Sequence, residues 1–212
     1  MTTAQVKISP LPFEPMPVCL QGPDITLRPL AITDVEGFYQ AGKDPVLWQW
    51  VLPNQCQSLA TARAWIEHSL EQQTLGNHVP FVIVDNRSGH IVGSTRYCSI
   101  RREDRNVEIG FTFIKPEFQR SYVNTQAKYL LLRHAFEQLG AIRVELRTHE
   151  KNHQSRTAIA RIGASFEGIL RNNRILADGS YRNSAMFSVI EEEWPACKAA
   201  LEQKMAATTY VK

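Results

Sequence analysis

The sequence predicts an α+β fold, more fully a mixed α/β domain whose central sheet carries helices on both faces. Three observations predict it. Alternating apolar runs cluster in the middle of the chain, segments with apolar residues at three- and four-residue spacing flank them, and turn-forming residues separate the segments. The predicted order is strand, helices, several antiparallel strands, a long helix, a strand, a short helix and closing strands.

The first part of the chain predicts one strand and two helices. Alternating apolar residues predict a strand over 25–30, and Thr33 or Asp34 can cap the helix that follows it. After a loop rich in tryptophan, Ser58 opens a second, amphipathic helix that runs to about Gln73.

The middle of the chain predicts antiparallel strands. Residues 79–100 are two strand-like runs joined by the turn-forming residues 85–89, which is a hairpin signal. A further strand over 107–114 ends at Lys115-Pro116, because proline cannot continue a ladder of backbone hydrogen bonds.

The last part of the chain predicts two helices and three strands. Residues 124–139 have a strong helical repeat of apolar side chains, and Gly140 ends it. A shorter helix follows Asn152 and ends at Gly163. The three strands are predicted near 141–148, 165–172 and 184–190.

At 212 residues the chain is long enough for one domain with a buried core. Five prolines between residues 8 and 23 disfavour helix and sheet there, so we expect an extended arm that lies across the domain or across a partner in a homodimer. The expected division is an N-terminal arm over 1–23, a single domain over 24–205 and a C-terminal tail over 206–212.

Composition excludes several classes of protein. The formal charge of +3 comes without the basic stripe and interleaved aromatics of nucleic-acid-binding proteins, and suits an anionic small ligand equally well. The four cysteines lack the close spacing of a zinc or redox motif, so we expect reduced packing cysteines and no metal. No apolar run is long enough to cross a membrane, and the start lacks a signal sequence, so a cytoplasmic location is expected.

The segment FQRSYVNTQAK, residues 118–128, is suited to phosphate. A strand ends in a polar turn that enters a helix, and first-turn amides at the positive end of a helix dipole attract anions. The segment adds a basic side chain, three possible hydrogen-bond donors and a lysine one turn later: Arg120, Ser121, Asn124, Thr125 and Lys128. The alternative is a capped surface helix with ordinary basic residues.

Four phrases resemble the GNAT superfamily, especially its branch of ribosomal-protein N-terminal acetyltransferases (RimJ/RimL-like). They are VEIGFTFI, VNTQAKYLLLRHAFEQLGAIRVELRT, KNHQSRTAIARIGA and FEGILR, and the resemblance extends from about Ile25 to Leu201. It implies a mostly antiparallel, twisted sheet with a splayed strand pair. It also implies acetyl-CoA as co-substrate and, as acceptor, the amine of a peptide N-terminus or of a small molecule.

The resemblance also implies which residues contact the cofactor. The backbone of Phe111, Thr112, Phe113 and Ile114 would bind the pantetheine arm. The turn Gln119-Arg120-Ser121-Tyr122-Val123-Asn124 would bind the pyrophosphate, but its two expected small residues are replaced by Tyr122 and Asn124. Because glycine normally lets the backbone approach a phosphate, Tyr122 must point away or cover the ligand. Phosphate binding would then either depend more on the side chains of Arg120, Ser121 and Thr125 or be weak.

Asn152 and Ser155 match the second cofactor motif of the family, near the pantetheine and the thiol. Many relatives have a tyrosine as the acid for the leaving thiolate where this chain has Ile159, so Ser155 becomes the candidate donor, although it could equally cap a helix. Glu108 is the candidate base that accepts a proton from the amine, with a structural ion pair as the alternative. His134 and His149 are weaker candidates for this role.

The acceptor side is predicted from aromatic residues and one arginine. Trp48, Trp50, Arg96 and Tyr97 could line a groove for a peptide N-terminus or a small amine, although tryptophans are common in cores. We therefore expect an acyl-CoA-dependent N-acyltransferase. The alternative is a non-catalytic acyl-CoA-binding or regulatory module of the same fold.

Overall fold

The computed structural model describes residues 12–51, 53–176 and 179–209. Its strands and helices, in chain order, are β1 (Leu20–Gln21), β2 (Ile25–Pro29), α1 (Val35–Gly42), α2 (Leu59–Thr74), β3 (Val79–Asp85), β4 (Ile91–Arg101), β5 (Asn106–Ile114), α3 (Tyr122–Arg133), β6 (Arg143–His149), α4 (His153–Arg161), β7 (Ser165–Ile175), β8 (Tyr181–Ile190) and α5 (Trp194–Thr209). None of the helices in these ranges is long and apolar enough to cross a membrane.

The eight strands form one sheet in the order β1-β2-β3-β4-β5-β6-β8-β7. Every neighbouring pair is antiparallel except β5 and β6, which are parallel. A parallel pair needs a crossover connection, and α3 supplies it. The mixed fold with a mostly antiparallel sheet is therefore confirmed.

Helices cover both faces of the sheet and bury two apolar cores. On the first face, α1 and α2 pack on β3, β4 and β5, with Phe38, Ile66 and Phe113 in the core. On the second face, α3, α4 and α5 enclose a larger core that includes Leu131 and Val144. The strand alternation of the sequence decides which side chains enter each core, because successive residues of a strand point to opposite faces.

The predicted ends of two helices agree closely with the structure. Ser58 caps α2, and its Oγ accepts a hydrogen bond from the amide of Thr61 (3.2 Å). The long helix begins at Tyr122, two residues before its predicted start, and a π-helical turn over His134–Gln138 follows α3. Gly140 then adopts φ +68°, a conformation that suits glycine, where the helix ends.

The N-terminal arm lies across its own domain wherever it is described. Phe13 is 3% exposed and belongs to the large core, and the guanidinium of Arg105 is 5.8 Å from its ring centre. Glu14 pairs with Arg102 (2.8 Å). Residues 12–19 contain no helix or strand, but Leu20–Gln21 forms β1, so the predicted arm includes one short strand. Residues 1–11 lie outside the described residues.

The C-terminal part departs from the sequence prediction. Helix α5 is not among the predicted elements, and it continues through residues 206–209, which the sequence assigns to a separate tail; residues 210–212 lie outside the described ranges. β7 and β8 are longer than predicted. All four cysteines are free, and all except Cys19 are buried, as expected for packing residues.

Candidate functional site

A gap opens in the sheet between β5 and β6. The two strands pair only from Asn106 to Glu108 on β5 and from Arg143 to Glu145 on β6, although both continue beyond this segment. From residue 109 onward, β5 pairs with β4 alone. The backbone edge of β5 that would otherwise meet β6 therefore faces an opening, as the predicted splayed strand pair requires.

A β-bulge lies in β5 at this opening. Ser94 of β4 pairs with Phe113 and Arg96 pairs with Gly110, so two residues of β5 face one residue of β4. Phe111 has φ +50°, a left-handed conformation that costs a bulky residue about 1–3 kcal/mol. Such strain persists where the surroundings hold it, and it is concentrated at functional sites.

Packing on the first face holds Phe111 in this conformation. The guanidinium of Arg96 lies 4.5 Å from the Phe111 ring centre and 4.7 Å from that of Trp65, and the two ring centres are 5.7 Å apart, so the cation packs against a pair of neighbouring aromatic rings. Arg96 is 1% exposed, and its Nη2 donates to Ser69 Oγ (3.0 Å). Burial, followed by the charge of Arg96, lowers the pKa of His78 to about 4. His78 is therefore neutral near pH 7, and its Nδ1 can accept a hydrogen bond from Arg96 Nη1 (3.1 Å).

The turn after β5 leads into the N-terminus of α3. Ser121 is the N-cap: its Oγ accepts from the amide of Val123 (3.3 Å) and donates to the carbonyl oxygen of Phe118 (2.6 Å). Arg120 is exposed and has φ +57°, the conformation in which glycine is usual. The amides of Tyr122 and Asn124 lie in the first turn, where no intrahelical acceptor exists. This arrangement fits an anionic group such as a pyrophosphate.

Tyr122 points away from the turn. Its hydroxyl donates to Asp85 Oδ1 (2.6 Å), and the Arg87 guanidinium is 5.5 Å from its ring centre. Burial, and the hydrogen bond to Asp85, raise its pKa to about 12, so the hydroxyl stays a donor. The side chain is therefore engaged by residues at the hairpin between β3 and β4.

Lys128 does not face the turn, which corrects its prediction as a phosphate ligand. It is 6% exposed, and its Nζ donates to Thr112 Oγ1 (2.7 Å), which is also 2.8 Å from Thr95 Oγ1. Burial lowers its pKa to about 7. Lys128 therefore links α3 to the second face of β5, next to the bulge.

The second cofactor motif begins α4, close to the phosphate turn. Asn152 is the N-cap, and its Oδ1 accepts from the amide of Ser155 (3.0 Å). Gln154 Nε2 donates to Gln119 Oε1 (3.0 Å), which ties the start of α4 to the turn before α3. Asn152, not Ser155, caps the helix, and Ser155 is half-buried within the first turn.

Glu108 occupies the last paired position of β5 before the opening. It is 4% exposed, and its Oε2 accepts from Ser99 Oγ (3.0 Å) and pairs with Arg147 Nη2 (2.7 Å). Its Oε1 lies beside Gly110, where an added Cβ would come within 3.1 Å of it. The absence of a side chain at Gly110 leaves room next to this carboxylate oxygen.

Comparison with known proteins shows the family of the chain. Residues 24–165, about two thirds of the chain, match the family model described as an acetyltransferase (GNAT) domain. The chain belongs to the GNAT acetyltransferase family. It is an N-acetyltransferase, and members of this family use acetyl-CoA as the acetyl donor.

Solved structures of acetyltransferases share the fold. A putative acetyltransferase from T. thermophilus is 33% identical, with a TM-score of 0.81 over 90% of this chain and 98% of that one. A GCN5-related N-acetyltransferase from Brucella melitensis is 26% identical, with a TM-score of 0.84 over 91% and 87% of the two chains. Mycobacterium smegmatis RimJ, solved in complex with CoA-disulfide, is 21% identical, with a TM-score of 0.75 over 92% and 96%.

Two of the four predicted acceptor residues of this acetyltransferase lie in cores. Tyr97 is fully buried on the second face, where its hydroxyl donates to the carbonyl oxygen of Leu131 (2.6 Å), which corrects its assignment to a groove. Trp48 is 6% exposed, and its Nε1 donates to the carbonyl oxygen of Gly42 (2.7 Å). The centre of its ring is 5.4 Å from that of Phe113, so Trp48 packs against β5 on the first face of the sheet.

The other two predicted residues are differently placed. Trp50 is half-buried, and its ring centre is 4.8 Å from that of His149, which ends β6. Arg96 lies behind the ring of Phe111. Trp50 therefore remains on the surface near the opening, whereas Arg96 supports the bulge.

Sequence reasoning missed the partner of Glu108 in this acetyltransferase. The alternation in RVELRTH was a usable signal, because it puts Arg143, Glu145, Arg147 and His149 of β6 on one face. Glu108 and Glu145 are paired in register, so the same face of β5 and β6 carries both carboxylates and the arginines that bind them.

Proposed function

We propose that this acetyltransferase moves an acetyl group from acetyl-CoA to a primary amine, of a peptide N-terminus or of a small molecule, by direct attack. The observation that carries the proposal is the position of Glu108. Its buried side chain belongs to the last residue of β5 that pairs with β6, three residues before the strained Phe111. A proton acceptor and an open backbone edge are therefore adjacent on one strand.

The residues around the opening fit acetyl-CoA, which supplies an activated acyl thioester. The free edge of β5 from Phe111 to Ile114 would hydrogen-bond the pantetheine and polarise the acyl carbonyl through a backbone amide. The first-turn amides of α3 would hold the phosphates, supported by the side chains of Arg120, Ser121, Asn124 and Thr125. With Tyr122 turned toward Asp85, the backbone of the turn stays accessible without glycine.

Glu108 is proposed as the general base, acting directly or through one water. An amine must be neutral to attack a thioester, and a positioned carboxylate accelerates that step by taking the proton. Arg147 and Ser99 both engage Oε2, which fixes the carboxylate and leaves Oε1 beside Gly110. Arg147 is accordingly proposed as a positioning residue.

Ser155 is proposed as the hydrogen-bond donor to the departing thiolate. It lies in the first turn of α4, where amides and the helix dipole favour negative charge. Because Asn152 supplies the cap, the Ser155 hydroxyl is not required for capping. Ile159, in the position where many relatives have a tyrosine, is buried and cannot donate.

The test is a thiol-release assay with acetyl-CoA and a panel of N-terminal peptides, amino acids, polyamines and aminoglycosides. For the best acceptor, Glu108→Gln is expected to lower kcat by about 10²–10⁴-fold, the usual contribution of a general base. Glu36→Gln, at an exposed position of α1, is the matched control and should leave kcat unchanged.

Two results would contradict parts of the proposal. An unchanged kcat in Glu108→Gln would make Glu108 a structural ion-pair residue only. Protection of residues 111–128 from hydrogen exchange by acetyl-CoA, with no turnover of any amine, would indicate a protein that binds the cofactor without catalysis.

A further inference from the structure

The first face of β6, β8 and β7 carries a group of arginines close to Glu108. We call this group, together with the serine between its members, the arginine face; it consists of Arg147 on β6, Arg174 on β7, and Arg182 and Ser184 on β8. Arg174 and Arg182 are directly opposite each other in the ladder, and Ser184 is opposite His149. Ser184 is also a diagonal neighbour of Arg147, whose direct partner is Met186.

The positive charge of the arginine face is only partly balanced. Arg147 pairs with Glu108, but Arg174 and Arg182 form no ion pair with any residue that the structure describes. Glu150, on the next loop, instead accepts a hydrogen bond from Asn183 (3.0 Å). Burial lowers the pKa of Arg182, and the charges of Arg174 and Arg147 lower it further, whereas Glu108 raises it. These groups therefore lie within electrostatic reach of one another.

A second group of arginines on the same face differs in this respect. Arg143 pairs with Glu145 (3.1 Å) and donates through Nη1 to Glu167 (2.6 Å), and Arg101 pairs with Glu145 (2.7 Å). The charges at that end of β6 are thus matched within the protein. The excess of positive charge lies at the other end, where β6 has separated from β5 and Trp50 packs on His149.

The arginine face also contains buried polar atoms that lack partners. Arg147 Nε, Arg182 Nε and Ser184 Oγ are all buried and form no hydrogen bond within the described ranges, and Ser184 as a whole is 0% exposed. Buried polar atoms are normally satisfied by protein, water or ligand. Two guanidinium donors and a hydroxyl suit a ligand with negatively charged oxygen acceptors, and their charge disfavours a polyamine.

We propose that the arginine face binds an anionic group of the acceptor, so that the substrate is an amine that also carries a carboxylate or phosphate. This inference rests on the proposed function, because the bound anion would orient the amine toward Glu108. Arg182 and Ser184 are the residues to change in a test, since a change at Arg147 would also disturb Glu108. They are specificity-determining residues and take no proton in the reaction.

The first test compares matched amines in the thiol-release assay. Glycine with glycinamide tests the carboxylate, and phosphoethanolamine with ethanolamine tests the phosphate. The anionic member of one pair is expected to have a kcat/KM higher by on the order of tenfold to a hundredfold. Arg182→Gln should remove this preference mainly through KM and leave the neutral member nearly unchanged. Arg63→Gln, an exposed arginine of α2, is the control and should preserve the preference.

The second test does not depend on turnover. Inorganic phosphate is titrated calorimetrically into protein already saturated with coenzyme A, so that the turn before α3 is filled. Binding to wild type that is lost in Arg182→Gln and in Ser184→Val supports the proposal, even if no amine reacts and the proposed function fails. The inference about the arginine face is overturned if both members of each pair react with equal kcat/KM and phosphate does not bind to the saturated protein. The proposed acetyl transfer would stand in that case, because the amines still react.

Discussion

Replacing Lys128 with methionine should abolish a specific pH dependence of stability. The Nζ of Lys128 is buried between α3 and β5, and burial lowers its pKa from 10.5 to about 7. An unfolded chain restores the ordinary pKa, so between these two values the unfolded state binds more protons than the folded state. The wild-type free energy of unfolding must therefore rise with pH across this window, because the cost of burying the charge falls as Lys128 deprotonates.

The size of the effect follows from the pKa values. The shift of about 3.5 units corresponds to about 5 kcal/mol in total, and about 3 kcal/mol of it appears between roughly pH 6 and 9. Lys128→Met keeps the length and removes the titrating group. The difference in unfolding free energy, variant minus wild type, should be largest near pH 6 and fall by about 3 kcal/mol by pH 9.

The assay is urea unfolding, monitored by tryptophan fluorescence at several pH values, for wild type, Lys128→Met and a control variant. Lys198→Met is the control, because Glu137 beside it raises the pKa of Lys198, so that this lysine does not titrate in the window. Taking differences from wild type cancels the titration of cysteines in the unfolded chain. Parallel curves for wild type and Lys128→Met from pH 6 to 9 would refute the reasoning, and would mean that Lys128 stays charged where it is.

Three further predictions test the site. Tyr122→Phe should lower the free energy of unfolding in urea by about 1–3 kcal/mol, because Asp85 loses a hydrogen-bond donor. The coenzyme A dissociation constant, measured by calorimetry, should change less than about twofold. A large loss of affinity would mean that the ring contacts the ligand. Gly110→Ala should lower kcat at saturating acetyl-CoA by about tenfold or more, since its Cβ would crowd Glu108, while calorimetry shows a near-normal coenzyme A dissociation constant. Asn152→Ala should cost about 1 kcal/mol in unfolding experiments through the lost cap of α4, and Asn152→Ser should restore most of it.

Local signals in the sequence were sufficient for much of the fold. The hairpin of β3 and β4 and the cap at Ser58 depend on residues that are close in sequence, so they could be predicted without tertiary information. Helix α5 could not, because its small apolar residues do not form a clear stripe and its burial comes from packing on α3. The gap between β5 and β6 is a property of long-range pairing, and only the family resemblance anticipated it.

Side-chain direction explains which site residues were predicted correctly. Arg96 and Tyr97 are adjacent on β4, so they point to opposite faces and could not line one groove; strand alternation alone would have excluded one of them. Lys128 misled the prediction for another reason. Helix α3 is covered on one side by the sheet and on another by α5, so its buried surface extends beyond the apolar stripe and includes a lysine.

The arginines around β5 and β6 differ in whether a carboxylate of the protein itself pairs with them. Arg143 is paired with two glutamates. Arg96 forms no ion pair among the described residues, but it packs against two aromatic rings and donates to Ser69, so both arginines serve the architecture around β5 and β6. Arg147 is committed to Glu108 through one nitrogen and has another without a partner, and the half-buried Arg182 forms no ion pair with a described carboxylate. Removing an unpaired charge from water is costly, so the place of Arg182 near a candidate base is explained most simply if an anionic group of the acceptor pairs with it.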